Sequence, residues 1–178
     1  MNASTNTNSL TTSRFGGDAN FIKLLGQAAR VQSIYGRYSA YFLVSGQYSF
    51  RPLLSSEQFS FGGSQLGRGY DPAEIIGDRG VGATAELRMD VAPGWRALQS
   101  FQPYVFYDAG KIWNIKNIIN VEHTATAMST GIGSRFVFNN YITGNLMWTQ
   151  PLTRPVAAEA LIGRGKNPRV FFSMVASI

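Results

Sequence analysis

Apolar and polar residues alternate along several stretches of the chain, with the two-residue period of a β-strand that has two unlike faces. The pattern is sharpest in residues 81–91, where one face carries Val81, Ala83, Ala85, Leu87, Met89 and Val91. The opposite face of this stretch carries Gly82, Thr84, Glu86, Arg88 and Asp90. A strand of a soluble sandwich rarely places charges at alternate sites in this way, whereas the wall of a membrane barrel with a watery lumen does so routinely.

The same period extends over further stretches and predicts seven strands, at residues 20–33, 37–50, 81–91, 101–113, 124–138, 141–152 and 169–178. These strands are about 10 to 15 residues long, which exceeds the soluble mode of about 5 to 6 residues. A tilted strand that crosses a bilayer needs about 9 to 11 residues. We therefore predict an all-β fold, an antiparallel transmembrane β-barrel of which this chain is a C-terminal fragment of about seven strands.

Long and short connections alternate between the predicted strands. The long connections, at residues 51–78, 114–123 and 153–168, all emerge on one side. Outer-membrane barrels have short periplasmic turns and long external loops, so we expect these three connections outside the cell. Residues 19–178 would then form the barrel part, and residues 1–18 would be the disordered remnant of another external loop.

The predicted strands are too few for a closed barrel. Known bacterial barrels have an even number of strands, from about eight upward. An open sheet in lipid would leave backbone N–H and C=O groups at its edges without partners. Residues 1–13 also lack the apolar run of a secretory signal. We therefore expect this chain to be a piece of a longer one, with more strands on its N-terminal side.

Composition adds a few constraints to this picture. Only 15% of the 178 residues are charged, and no apolar stretch is long enough for a transmembrane helix. The absence of Cys excludes disulfides, thiol catalysis and Cys-based zinc sites. The net charge of +6 comes from scattered basic residues, so no nucleic-acid partner is expected. Four aromatic residues near strand ends fit either an interfacial girdle or ordinary packing: Tyr38, Tyr48, Trp113 and Trp148.

Residues with chemically reactive side chains do not form a predicted enzyme site. His123 is the sole histidine, and a lone histidine without carboxylate neighbours is far more often a surface residue than a base. Residues 163–166 resemble part of a phosphate loop, but Ala160 stands where the first Gly of that motif belongs. We predict no catalytic residue, no cofactor and no metal. The charges at alternate strand positions are instead predicted to line a wet lumen: Glu86, Arg88, Asp90 and Arg135.

One long connection and the strand that follows it resemble a known family. Residues 61–80 read FGGSQLGRGYDPAEIIGDRG, and residues 104–110 read YVFYDAG. Together they resemble the two-partner secretion transporters, the hemolysin-activator and filamentous-hemagglutinin-transporter family, and the resemblance covers roughly residues 19–178. It implies a 16-stranded barrel in the bacterial outer membrane, with two periplasmic POTRA domains and a plug helix upstream of this chain.

In that family the long loop folds back into the lumen, where an Arg at its tip meets an Asp on a barrel strand. The resemblance assigns the tip and the strand motif to Gly67, Arg68, Gly69 and Tyr70, and to Phe106, Asp108 and Gly110. Alternation supports the pairing, because Asp108 lies opposite the lipid-like face and a carboxylate facing lipid is costly. Arg offers a planar fork for bidentate contact. Gly67 stands where the family usually has Val or Leu, which is expected to loosen the local packing.

The resemblance implies a pore that moves an unfolded, β-forming exoprotein outward without ATP. Its expected partners are that exoprotein, outer-membrane lipid and the barrel-assembly machinery. Two alternatives remain open on the sequence alone. One is an assembly factor of the same superfamily, which inserts other outer-membrane proteins. The other is a soluble β-sandwich binding protein.

Overall fold

The computed structural model describes residues 14, 16–115, 123–139, 141–153 and 167–177. These residues form seven long strands and a short hairpin. The long strands are β1 (Lys23–Tyr35), β2 (Tyr38–Ser49), β5 (Arg79–Met89), β6 (Leu98–Trp113), β7 (Thr124–Phe138), β8 (Ile142–Pro151) and β9 (Arg169–Ala176). The hairpin pairs β3 (Phe59–Phe61) with β4 (Ile75–Gly77), and one 3₁₀ turn spans Ser55–Glu57.

The seven long strands form a single sheet in the order β1-β2-β5-β6-β7-β8-β9. Every neighbouring pair is antiparallel, and each strand lies beside the next long strand in the sequence. The predicted all-β, antiparallel wall of seven strands is therefore confirmed. In the described part of the chain this wall is one layer, and not the pair of stacked sheets that a sandwich requires. Among the described residues, no helix has the length and hydropathy needed to span a membrane.

The two faces of the sheet differ in what covers them. The connection between β2 and β5, residues 50–78, folds over one face, which we call the loop-covered face. Buried residues on that face include Leu43, Gln47, Thr84, Glu86, Phe106, Asp108, Ser129 and Thr149. The other side, the open face, exposes large apolar residues, among them Phe42, Val44, Leu87, Val105, Tyr107, Ile132 and Trp148. Soluble proteins rarely expose so continuous an apolar surface, and a lipid-facing wall requires one.

The connection at residues 50–78 packs on the sheet through a compact apolar cluster. The cluster consists of Phe59, Phe61, Tyr70, Ile75, Ile112, Ala125 and Ala127, with Leu66 against it. The buried ring of Phe61 lies directly on Gly110, where an added Cβ would come within 2.3 Å of Cδ2 of that ring. The sequence predicted residues 51–78 as an inward-folding loop, but it missed the hairpin, because strands of three residues are too short to show a period.

Strand boundaries agree with the sequence to within a few residues. β7 spans residues 124–138 as predicted. β5 spans Arg79–Met89, so it begins and ends two residues earlier than the predicted range of 81–91. The four aromatics Tyr38, Tyr48, Trp113 and Trp148 all lie on the open face, with 37% to 44% of their surface exposed. Ordinary packing in a core is therefore the wrong interpretation for them. The predicted features at residues 1–13, 116–122 and 154–166 lie outside the described residues.

Candidate functional site

Two tight backbone turns set the position of Arg68. Gly62, Gly63 and Gly67 all have positive φ, at 123°, 111° and 77°. The N–H of Gly62 donates to the carbonyl oxygen of Leu66 at 3.0 Å, and the N–H of Tyr70 donates to that of Gly67 at 2.9 Å. A Cβ added at Gly67 would lie 2.5 Å from Cε1 of Phe61. The expectation that Gly67 loosens the packing is wrong, because only glycine fits this backbone conformation and this close contact.

Arg68 and Asp108 form the contact that the sequence predicted. The Nε and Nη2 groups of Arg68 donate to the two carboxylate oxygens of Asp108 at 3.0 and 2.7 Å. The backbone N–H of Arg68 donates to the same carboxylate at 2.9 Å. Asp108 is fully buried and Arg68 is nearly so. This bidentate, charge-assisted pair fixes the loop tip in both position and orientation.

A second carboxylate, which the sequence placed on the wall but did not pair with the loop, also contacts Arg68. Nη1 of Arg68 donates to Glu86 on β5, and Nη2 donates to the hydroxyl oxygen of Thr84 at 2.6 Å. The hydroxyl of Thr84 donates to Asp108 at 2.5 Å. The guanidinium carbon also lies 3.7 Å from the centroid of the Phe106 ring. Arg68 is therefore surrounded by two anions, a hydroxyl and an aromatic face, all within the buried interface.

Two more arginines extend this network along the loop-covered face. The Nε group of Arg88 donates to Glu86 at 2.7 Å, and Nη2 of Arg135 donates to the same carboxylate at 3.1 Å. The two guanidinium groups also lie over aromatic rings, that of Tyr41 and that of Tyr104. Glu86 thus balances three arginines. Beside this network is a hollow of about 590 Å³, lined mainly by polar residues that include Gln27, Ser64 and Gln65.

Asp90, which was predicted to line the lumen with these residues, is linked to them through Gln102, which accepts a hydrogen bond from Arg135 at 3.1 Å. Asp90 follows the last residue of β5, is exposed, and accepts a hydrogen bond from Gln102 at 2.7 Å. The alternating pattern predicted that β5 continues to Val91. The strand ends at Met89, and Val91 forms only an isolated bridge with Phe101. The charged cluster that surrounds Arg68 consists of Glu86, Arg88, Asp108 and Arg135, and Gln102 connects Asp90 to its edge.

The remaining tip residues bind a different strand. The N–H of Gly69 donates to the hydroxyl oxygen of Ser129 on β7 at 3.2 Å. The buried Tyr70 donates its phenol hydrogen to the carbonyl oxygen of Met128 at 2.8 Å. A Cβ added at Gly69 would lie 2.6 Å from that of Ser129, so the tip can approach the sheet only with glycine there. The tip thus spans three strands, β5, β6 and β7.

A buried carboxylate at the end of the same connection holds three segments together. Both oxygens of Asp78 accept hydrogen bonds: Oδ1 from the N–H of Leu53 and Oδ2 from that of Ile115, each at 2.8 Å. Arg14, in the segment before β1, donates to Oδ1 at 2.5 Å. No pattern in the sequence predicted these contacts, because the partners of Asp78 are backbone groups and a distant side chain.

The segment before β1 has a second, exposed attachment. Arg51 donates to Asp18 at 2.8 Å, and the N–H of Asn20 donates to the other oxygen of the same carboxylate at 2.8 Å. The N–H of Asn20, and then Arg51, hold the pKa of Asp18 below its usual range. The described residues before β1 are thus held by the buried Asp78 and by a pair at the surface.

Replacing Asp78 with Asn should loosen this junction. The amide side chain would keep one acceptor oxygen but lose the charge opposite Arg14, so we expect a loss of about 1–3 kcal/mol of local stability. Hydrogen exchange of the Leu53 and Ile115 amides in the full-length protein measures the change. Asp71→Asn is the matched control, because the carboxylate of Asp71 is half-exposed and pairs with Arg169 instead. Exchange at Leu53 that is no faster in Asp78→Asn than in the control would contradict this role.

A sheet with one apolar open face, and a loop held on its other face by a buried arginine, defines a class of protein: β-barrel wall proteins with an inward-folded loop. Residues 2–136, more than half of the chain, match the family model described as "Haemolysin secretion/activation protein ShlB/FhaC/HecB". The chain therefore belongs to the haemolysin secretion/activation family, a family of outer-membrane transporters. A search of curated proteins gave no match.

Proposed function

We propose that the chain forms part of the outer-membrane pore of a two-partner secretion transporter, which passes an unfolded exoprotein of the hemolysin or adhesin type to the cell surface. The observation that carries this proposal is the loop tip held on the wall by Arg68, through Asp108 on β6 and Glu86 on β5. Membership of the haemolysin secretion/activation family supports the same function.

The two faces of the sheet suit such a conduit. The open face carries the apolar residues that lipid requires, which supports a location in the bacterial outer membrane and insertion by the barrel-assembly machinery. The loop-covered face carries hydroxyl, amide and charged side chains, which offer hydrogen-bond partners to an extended polypeptide. Transport of this kind needs no covalent chemistry from the wall, because folding of the exoprotein outside would bias its movement.

The loop has a definite place in this mechanism. Residues 50–78 occupy space on the face that the exoprotein would pass, so their position determines how much of the conduit is free. Arg68 holds the tip by charged contacts to two strands. These charged contacts border a polar hollow, so water or polar groups of the passing chain can replace them as hydrogen-bond partners. The arginine would therefore hold the loop in one defined state and still permit its release.

The test is Arg68→Ala in the full-length protein, with its exoprotein produced in the same cell. We expect secretion to fall by about tenfold or more, the loss that about 1.4 kcal/mol of missing stabilisation produces. The amount of protein in the outer membrane should stay the same. Secreted exoprotein and membrane-inserted transporter are both measured by immunoblot.

The matched control is Arg88→Ala. Arg88 donates to the same Glu86, but it lies on the wall strand β5 and not in the loop. Secretion should therefore be reduced much less by this variant. Normal secretion with Arg68→Ala would defeat the proposal, as would an equal loss with both variants.

A further inference from the structure

Two basic side chains lie together on the open face of the sheet, where the surrounding residues are apolar. Arg79 is the first residue of β5, and Lys111 lies near the end of β6. Arg79 is directly opposite Trp113 in the sheet, and Lys111 is opposite Val81. The two basic residues are thus diagonal neighbours, at a Cα separation of about 7–8 Å. Their side chains therefore extend from adjacent positions on the same face of the sheet.

Aromatic rings rather than carboxylates accompany these two cations. The guanidinium of Arg79 lies 4.2 Å from the centroid of Tyr48, and the ammonium of Lys111 lies 5.2 Å from that of Trp113. Arg79 also donates its Nε–H to the carbonyl oxygen of Ser49 at 2.9 Å, which orients the guanidinium. Within the described ranges, no Asp or Glu forms an ion pair with either residue.

The position of the pair along the strands corresponds to the edge of a membrane. Lys111 and Phe101 are ten residues apart on the open face of β6, which is about 33 Å along a strand. A tilt of about 40° reduces this to about 25 Å, the height of the apolar band of an outer-membrane barrel. The pair therefore lies at one margin of the band, on the side where the long connections at residues 50–78 and 114–123 emerge.

We propose that Arg79 and Lys111 bind a phosphate group of lipid A, the lipid anchor of lipopolysaccharide, in the outer leaflet. The inference rests on the proposed location in the outer membrane with the long connections outside. Lipid A combines phosphate groups at headgroup level with acyl chains below them. The chain offers the complementary surface, two cations above the apolar residues of β5 and β6. A guanidinium and an ammonium with no acidic partner among the described residues are the groups that recognise phosphate.

Binding of purified lipid A to the full-length protein in detergent tests this site. Native mass spectrometry measures the bound fraction for the wild type and for Arg79→Gln/Lys111→Gln. We expect the Kd for lipid A to rise about 30-fold in the double variant, because each of the two basic residues near a lipid surface contributes about 1 kcal/mol. The matched control is Arg37→Gln/Arg96→Gln, which removes the same charge from exposed residues at the opposite end of the sheet.

Two further comparisons test whether the ligand is lipid A or another phosphate compound, and whether a loss of binding reflects misfolding. Arg79→Lys/Lys111→Arg keeps both charges and should keep lipid A bound. Phosphatidylglycerol and inorganic phosphate should bind more weakly than lipid A, and equal binding of either would overturn the choice of lipid A. Equal Kd values for lipid A in the wild type and in Arg79→Gln/Lys111→Gln would overturn the site itself.

The outcome is independent of the secretion assay. A barrel that binds lipid A through Arg79 and Lys111 but fails to secrete would contradict only the proposed function. A barrel that secretes its exoprotein, and whose Kd for lipid A is unchanged when both residues are replaced, would contradict only this inference.

Discussion

Replacing Asp108 with Ala should detach the loop tip from the wall. Arg68 would lose its bidentate partner, and Glu86 alone would face three arginines. Removing one partner of a buried ion pair costs about 3–5 kcal/mol. We expect about 3 kcal/mol, the lower end of that range, because Glu86 still neutralises part of the charge. Limited proteolysis of residues 50–78 in the full-length, membrane-inserted protein measures the release.

The coupling between the two residues can be measured with a double-mutant cycle. Arg68→Ala, Asp108→Ala and the double variant should be non-additive, because the double variant leaves no buried charge of this pair unmatched. Ser129→Ala is the control, since Ser129 accepts a hydrogen bond from the N–H of Gly69 in the same interface and carries no charge. Additive effects in the cycle would show that the pair does not hold the loop.

Truncating Phe61 to Ala should have a comparable effect through packing alone. Phe61 is fully buried between the loop and the sheet and contacts Gly110 and Gly82 on the wall. Truncation of a buried Phe costs about 3–5 kcal/mol, because transfer energy is lost and a cavity remains. Hydrogen exchange of the loop amides should therefore increase, while the amides of β7 and β8 stay protected.

Two further variants define the specificity of this effect. Phe50→Ala is the matched control, because Phe50 is largely exposed on the open face and packs edge-to-face on Tyr48. Gly110→Val places a side chain where the Phe61 ring now lies, and should release the loop without any change in the loop itself. Unchanged exchange of the loop amides in both Phe61→Ala and Gly110→Val would show that the apolar cluster does not hold the loop.

The fold could be predicted from the sequence because the alternating pattern that indicates its strands depends only on neighbouring residues. Strands of ten or more residues with one apolar face repeat a simple period, so β7 was predicted residue for residue. The contact between Arg68 and Asp108 was accessible for a different reason. Asp108 lies on the face opposite the apolar residues, and the family resemblance supplied the partner 40 residues away.

Other parts of the site depend on tertiary placement and left no signal in the sequence. The hairpin of β3 and β4 forms because Phe59 and Phe61 pack on glycines of the wall, and not because three residues favour a strand. Asp78 binds the backbone N–H groups of Leu53 and Ile115, which any sequence carries. The end of β5 was predicted two residues too late, because the alternation of apolar and polar residues continues beyond Met89.

The division of Arg68 between two strands has a mechanical consequence. Glu86 belongs to β5 and Asp108 to β6, so one side chain from the loop bridges a pair of adjacent strands. Pulling β5 away from β6 would break the backbone hydrogen bonds of that seam and one of these two ion pairs as well. The docked loop therefore reinforces the seam against lateral opening. The same wall is weaker along that line whenever the loop leaves.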